Sequence, residues 1–228
     1  MSNSFPPIIF WDGISALSRQ NDPLYIAACE WVKTVVESQL SIYIHLILPT
    51  IESGSNDIEN IVIAFSFCTP QSSSALILNI SKKFSPLLFV HEPFTQLREY
   101  LEDRKNIKYV LNIKEAQKIF NSIRDNFKII VNPFKCVLDE SHIWSEYIYN
   151  ESVQKIFQNE LSIFKGQIDM DGFKSSIFNL NVTISNPMFL SKDEKAVFIA
   201  LFKILFAIMA DRVNNTTTIE NSEVQKRN

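Results

Sequence analysis

The segment IVIAFSFC, residues 61–68, is the stretch that decides the fold class of this chain. Large apolar side chains stand at every second position from Ile61 to Phe67, and mostly smaller, uncharged residues stand between them. A strand with one face in water carries polar side chains on that face, and this segment carries no charge on either. It therefore predicts a central strand that is buried on both sides.

Strands and helices alternate along the chain after this segment. The pattern predicts helices at about 72–84, 93–104 and 112–124, and strands at about 87–90, 107–111, 128–131 and 134–138. An alternating order is typical of a parallel sheet in which helices form the crossovers. The sequence therefore predicts an α/β fold with a mostly parallel sheet and flanking helices, and an α+β arrangement is the alternative.

The segments before residue 61 and after residue 138 also carry patterns of strands and helices. Strands are predicted at 8–11 and 42–48, and Asp22-Pro23 opens the helix between them with a capping side chain and an N-terminal proline. A helical region follows at about 141–165, and residues 178–185 alternate between apolar and polar, which predicts an added C-terminal edge strand. We expect one globular domain over 6–213, with disorder in the polar ends 1–5 and 214–228.

The last helix is unusually apolar. From Ala196 to Ala210 it reads AVFIALFKILFAIMA, in which Lys203 is the only charge, and Ser191 and Glu194 ahead of it have the spacing of a capping box. A surface helix keeps a polar face, so this helix is expected to be buried. Fifteen residues are fewer than the roughly 20 that a bilayer requires, and no membrane association is expected.

Burial of this helix can come from its own domain or from a partner protein. Phenylalanines recur at the spacing i, i+4 and i+8, which places them on one side of the helix. The candidate partner-binding residues are Phe198, Phe202 and Phe206.

Charge is unevenly distributed along the chain. The net charge is −3, but residues 82–135 hold 11 of the 22 basic and 6 of the 25 acidic residues, a net of +5. Such a segment forms either a solvated helical face or a docking surface for an acidic partner or a nucleic acid. The candidate nucleic-acid-binding residues are Arg104, Lys105, Lys108, Lys114 and Lys118.

Residues for catalysis are sparse. The four glycines are scattered, so the chain has no glycine-rich loop that could close on a phosphate, and no nucleotide or other cofactor is predicted. The three histidines and three cysteines lack the spacing of metal ligands, and no metal is predicted.

The weak catalytic candidates are Asp12, His91 and Glu92. They follow predicted strands, and α/β sheets place their sites at the ends of strands.

These observations favour a binding protein over an enzyme. We expect a non-catalytic protein-interaction subunit of a larger complex, with association to DNA or RNA as a variant. The alternative is a small, hydrolase-like α/β enzyme that uses Asp12, His91 and Glu92. Three widely spaced cysteines and no recognisable signal peptide indicate a reducing compartment, the cytoplasm or the nucleus.

Overall fold

The computed structural model of the protein describes residues 6–12, 22–47, 49–50, 60–81, 94–128, 131–139, 151–160, 182–183 and 190–227. They form an α/β fold, in which helices cover a six-stranded mixed sheet on both faces. The strands are β1 Ile8–Asp12, β2 Ile42–Ile47, β3 Pro49–Thr50, β4 Asn60–Cys68, β5 Ser73–Ser81, β6 Lys108–Val110, β7 Val137–Asp139 and β8 Val182–Thr183. The helices are α1 Pro23–Glu37, α2 Phe94–Glu102, α3 Ile113–Phe127, α4 Glu151–Glu160 and α5 Lys192–Arg227.

The main sheet has the strand order β1-β5-β4-β2-β6-β7. β4 runs antiparallel to both of its neighbours, β2 and β5, whereas β1 is parallel to β5, and β2, β6 and β7 are parallel to one another. Five of the six strands in this sheet therefore run in the same direction and only β4 is reversed, so the prediction of a mostly parallel sheet is confirmed. The central position predicted for residues 61–68 is confirmed, because β4 lies between two strands and its residues from Ile61 to Phe67 are buried.

A hairpin of β4 and β5 accounts for the one reversed strand. The helix predicted at 72–84 is wrong over Ser73–Ser81, which forms β5 and pairs with β4 from Asn60 opposite Ser81 to Cys68 opposite Ser73. The run from Ala75 to Leu78 is buried on both faces, as a central strand requires. The turn is closed by Thr69, whose hydroxyl accepts the Ser72 N–H at 3.0 Å and donates to the Ser72 carbonyl oxygen at 3.0 Å.

The C-terminal strand also differs from its prediction. β8 pairs in parallel with β3 in a separate two-stranded sheet, and it does not lie at an edge of the main sheet. The flanking residues 178–181 and 184–185, and the strand predicted at 87–90, lie outside the described residues. The predicted strand at 134–138 begins later, at Val137, after Cys136 in a left-handed conformation (φ 57°).

Each face of the sheet has its own hydrophobic core. α1, α2 and α3 cover one face through residues such as Trp31, Leu97 and Phe120. α4 and α5 cover the other, where Phe157 and Phe202 are buried. The single charge in the apolar part of α5 faces α4, because Lys203 Nζ lies 2.5 Å from Glu160 Oε1. The buried last helix thus packs on the chain's own sheet.

α5 begins as the sequence predicts. The Ser191 hydroxyl accepts the Glu194 N–H at 3.2 Å, and Glu194 Oε2 accepts the Ser191 N–H at 2.6 Å, so the capping box is confirmed. The helix continues to Arg227 in the structure, and the disorder predicted for 214–228 stays a prediction. Extending a nucleated helix costs little per residue, which favours this continuation. Among the helices of the described part, none is both long and apolar enough to cross a membrane.

Candidate functional site

The predicted catalytic residues are only partly within the described structure. Asp12 is the last residue of β1, and its backbone pairs with Asn79 of β5. His91 and Glu92 lie outside the described residues. The structure therefore leaves the hydrolase-like arrangement of these three residues as a prediction from sequence.

A histidine and a serine meet at a place that the sequence did not predict. His45 Nε2 of β2 lies 2.9 Å from Ser66 Oγ of β4, a pairing of residue types that supports nucleophilic catalysis in many hydrolases. Both are buried, with exposed fractions of 7% and 0%. α5 covers them, since the Phe202 ring meets the His45 ring edge-on at 5.6 Å and Met209 Sδ lies 3.7 Å from Ser66 Oγ.

The donor in this contact depends on the tautomer of the His45 ring, and Ser66 Oγ also lies 3.7 Å from Met209 Sδ. A general base has to reach a serine that a substrate can reach, whereas this pair is buried beneath α5. Burial lowers the pKa of His45 to about 3, so the ring is neutral at neutral pH. This pair therefore serves the packing of α5 on the sheet.

A carboxylate caps the start of α3 at the carboxyl end of β6 and β7. Asp139, the last residue of β7, accepts the N–H of Asn112 through Oδ1 at 3.2 Å and the N–H of Ile113 through Oδ2 at 2.7 Å. These N–H groups open α3, and the start of a helix is a natural anion-binding position. Asn112 adopts a left-handed conformation (φ 69°) directly before the helix. The chain's own carboxylate thus fills this position.

Four of the five predicted nucleic-acid-binding residues are exposed: Arg104, Lys105, Lys114 and Lys118. The first two lie in the loop before β6 and the other two lie in the first turns of α3, so they flank opposite ends of β6. The exposed candidates therefore form two groups in the structure.

The fifth residue, Lys108, has to be corrected. Its side chain is fully buried, and its ammonium group donates to the backbone carbonyl oxygens of Tyr100, at 3.4 Å, and of Asp103. These carbonyls belong to the C-terminal end of α2 and the residue after it, where a positive charge is favourable. Burial lowers the pKa of Lys108. Lys108 therefore caps a helix and is not available to a nucleic acid.

The three phenylalanines predicted to bind a partner lie in the chain's own core. Phe198 and Phe202 are fully buried and Phe206 is 5% exposed. Phe198 meets the ring of Phe10 from β1 edge-on at 6.4 Å. The three side chains thus form part of the core between α5 and the sheet, and a contact with a partner stays a prediction from sequence.

Metal-binding chemistry finds no support in the described part of the chain. Within it, no three His, Cys, Asp or Glu side chains come close enough together to hold a metal ion. The three cysteines are free thiols; Cys29 and Cys68 are half-buried, and Cys136 is exposed. Burial raises the pKa of Cys29 and of Cys68, which disfavours the reactive thiolate.

Comparison with known proteins gives little further information. No protein-family model matches the sequence, and no curated protein matches it. One solved structure, described as the crystal structure of EXD2 exonuclease domain, aligns over 92% of this chain and 94% of its own, with 10% identity and a TM-score of 0.32. A likeness this distant carries no conclusion about the activity of the chain.

Proposed function

We propose that this chain is a non-catalytic interaction subunit of a larger intracellular assembly. The observation that supports the proposal is the contact between Asp139 and the start of α3, in which the chain's own carboxylate takes the anion-binding position beside the carboxyl ends of β6 and β7. The histidine–serine pair beneath α5 is likewise committed to packing. Asp139 and the histidine–serine pair thus stabilise the fold.

A contact surface for a partner is available at the other side of β7. Among the described strands, β7 is the last of the main sheet, and Leu138 at its centre is 50% exposed. An edge strand offers backbone N–H and C=O groups with which a strand of another protein can pair. We therefore place the protein contact at the β7 edge, Val137–Asp139, and not on the phenylalanine stripe of α5.

The native mass of the chain tests this proposal. We expect the full chain in an extract of its source cells to elute as an assembly well above its own 26.3 kDa. Leu138→Asp places a charge in the centre of the contact and should release the chain to its monomer mass. The measurement is size-exclusion chromatography with light scattering on tagged wild type and variant.

Leu24→Asp is the matched control. Leu24 is 45% exposed on α1, on the opposite face of the sheet from α5, and its substitution should leave the assembly intact. A wild-type chain that elutes alone at monomer mass would contradict the proposal. So would turnover of an ester or phosphoester that is abolished by Asp12→Asn, since this would establish the enzymatic alternative.

Association with a nucleic acid is the variant that the four exposed basic residues favour. We expect a labelled single-stranded oligonucleotide to bind the chain with an affinity that falls steeply with salt, as fluorescence anisotropy would measure. Each phosphate contact that is lost reduces the slope of log K against log salt by about 0.7. The paired substitutions Arg104→Gln/Lys105→Gln and Lys114→Gln/Lys118→Gln would then each reduce the slope.

Lys192→Gln, at the exposed start of α5, removes a charge outside both groups and serves as the control. Binding that does not respond to salt, or an equal loss in the control, would exclude this variant of the proposal. Lys108 is not substituted in this series because its burial would confound a loss of binding with a loss of folding.

A further inference from the structure

The outer side of helix α3 carries a continuous stripe of basic and amide side chains. The helix is held in place by its other side, where the Phe120 ring meets the ring of Phe134 edge-on at 5.3 Å, and by the cap from Asp139 at its start. The exposed positions recur at helical spacing and therefore lie on one side. We name this stripe the α3 face; its residues are Lys114, Gln117, Lys118, Asn121, Arg124 and Lys128.

The α3 face is positive, whereas the chain as a whole has a net charge of −3. Among the exposed side chains described along α3, the carboxylate is that of Asp125, which lies 2.9 Å from Arg124 Nε. Both side chains of this ion pair are more than half exposed. An exposed pair contributes little to stability, so the guanidinium can exchange this carboxylate for a phosphate at little cost.

The spacing of the cations works against the stability of the helix. The four cations form two pairs, Lys114 with Lys118 and Arg124 with Lys128, and like charges four positions apart repel each other. Helices α1 and α4 instead join an acid and a base at this spacing, at 3.7 and 2.6 Å; the ion pairs are Lys33–Glu37 and Glu151–Lys155. A polyanion bound to the α3 face would relieve the repulsion, which indicates a binding surface.

Two amide side chains lie between the two cationic pairs. Gln117 and Asn121 are exposed and four positions apart. An amide both donates and accepts hydrogen bonds, which is the combination that recognises the edges of bases.

The distance between the cationic pairs fits a groove of DNA. Their centres are ten residues apart, which is about 15 Å along a helix that rises about 1.5 Å per residue. The major groove of B-DNA is about 12 Å wide. The two pairs can therefore contact the phosphates on the two sides of the groove while the amides face the bases.

We propose that the α3 face binds duplex DNA across the major groove. Phosphates of the two strands contact the two cationic pairs, and base edges contact Gln117 and Asn121. An RNA duplex fits less well, because its major groove is deep and narrow. The inference rests on the nucleic-acid variant of the proposed function and deepens it, since it names duplex DNA as the partner and adds Arg124 and Lys128 to the contacts.

Fluorescence anisotropy with three labelled probes of one sequence tests the choice of partner. The probes are a DNA duplex, one of its single strands and the corresponding RNA duplex, each added to the full chain over a series of salt concentrations. We expect the DNA duplex to bind severalfold more tightly than the other two. A single strand or an RNA duplex that binds as tightly as the DNA duplex would overturn the fit to the groove.

Removal of one cationic pair tests the position of the contact. Arg124→Gln/Lys128→Gln should reduce the slope of log K against log salt by about 1.8 for the DNA duplex, since each phosphate contact contributes about 0.9. Lys33→Gln/Lys155→Gln removes the same charge from exposed positions on α1 and α4 and should leave the slope unchanged. An unchanged slope in the first variant, or an equal decrease in both, would overturn the proposal.

A second pair of variants separates the α3 face from net charge. Gln117→Glu places a carboxylate between the cationic pairs and should weaken binding of the DNA duplex severalfold by repulsion of the phosphates. Gln71→Glu adds the same charge at the exposed turn between β4 and β5 and should leave binding unchanged. Equal weakening by the two substitutions would mean that the duplex responds to the net charge of the chain and not to the α3 face.

Failure of this inference can be told apart from failure of the variant on which it rests. A chain that binds none of the three probes at low salt would exclude both. Salt-dependent binding that survives Arg124→Gln/Lys128→Gln but weakens in Arg104→Gln/Lys105→Gln would retain the association with a nucleic acid and overturn the α3 face as its site.

Discussion

His45 shows how the surroundings of a single residue decide its chemistry. In the sequence, His45 stands between Ile44 and Leu46 in a predicted strand. Nothing in that pattern distinguishes a catalytic histidine from one that is buried in the core. In the structure it lies between Tyr43 and Phe202, with Ser66 as its hydrogen-bond partner, and α5 covers it. A ring in such a place resists protonation, because the charged form would have to be desolvated.

This burial predicts a loss of stability in acid. The pKa of His45 falls from 6.5 in the unfolded chain to about 3 in the folded chain, so between these values the unfolded chain binds a proton that the folded chain excludes. The free energy of unfolding should therefore decrease as pH falls below 6.5, by up to about 1.4 kcal/mol per pH unit from this group. Urea denaturation at a series of pH values measures the slope.

His45→Gln is the matched variant for this prediction. Glutamine does not titrate, yet its amide can still donate to Ser66 Oγ, so the variant should show a shallower decline between pH 6.5 and 3 than the wild type. Parallel declines in the two proteins would mean that His45 does not control acid stability. The carboxylates of the chain contribute to both curves equally, and the comparison removes them.

Helix α5 shows what local sequence and packing each contribute to an element. Its start depends on the capping box of Ser191 and Glu194, which is encoded within four residues and needs no tertiary contact. The position of the helix depends on long-range contacts, with Met209 against Ser66 and Lys203 against Glu160 of α4. The sequence therefore predicts that the helix is buried, whereas the sheet determines which surface buries it.

Substitution of a core residue of α5 distinguishes burial in the domain from burial by a partner. Phe202 is fully buried and contacts the rings of Phe206 and His45, so Phe202→Ala should lower the free energy of unfolding of the isolated chain by about 3–5 kcal/mol. Ala210→Ser, on the exposed side of the same helix, should change it by less than about 0.5 kcal/mol. Chemical denaturation followed by circular dichroism measures both.

Equal stability of the two variants would contradict this prediction. If Phe202→Ala left the isolated chain as stable as Ala210→Ser does, α5 would not be packed on the sheet in solution, and the phenylalanine stripe would again be a candidate partner surface.

At the scale of the whole molecule, β7 carries the two features on which the proposed function is argued. Its last residue, Asp139, caps the start of α3 at the carboxyl end of β6 and β7. Its central residue, Leu138, is 50% exposed and is the proposed contact with a partner protein.

The sequence by itself determined the α/β class, the central strand at 61–68, the helices that begin near residues 23, 93 and 112, and the capped, buried last helix. These features follow from periodicity and capping, which act over a few neighbouring residues. The candidate basic residues could likewise be proposed from charge, but the burial of Lys108 could not be foreseen from its own segment.

Only the tertiary structure decided strand direction, register and the sites. Residues 73–81 are apolar enough for a buried helix or a buried strand, and pairing along β4 selects the strand. Tyr43 and Arg212 are 169 positions apart, and no local pattern marks them as neighbours. Which side chains meet depends on how strands pair and how helices pack across the sheet, and those choices are made by contacts between segments that are remote in sequence.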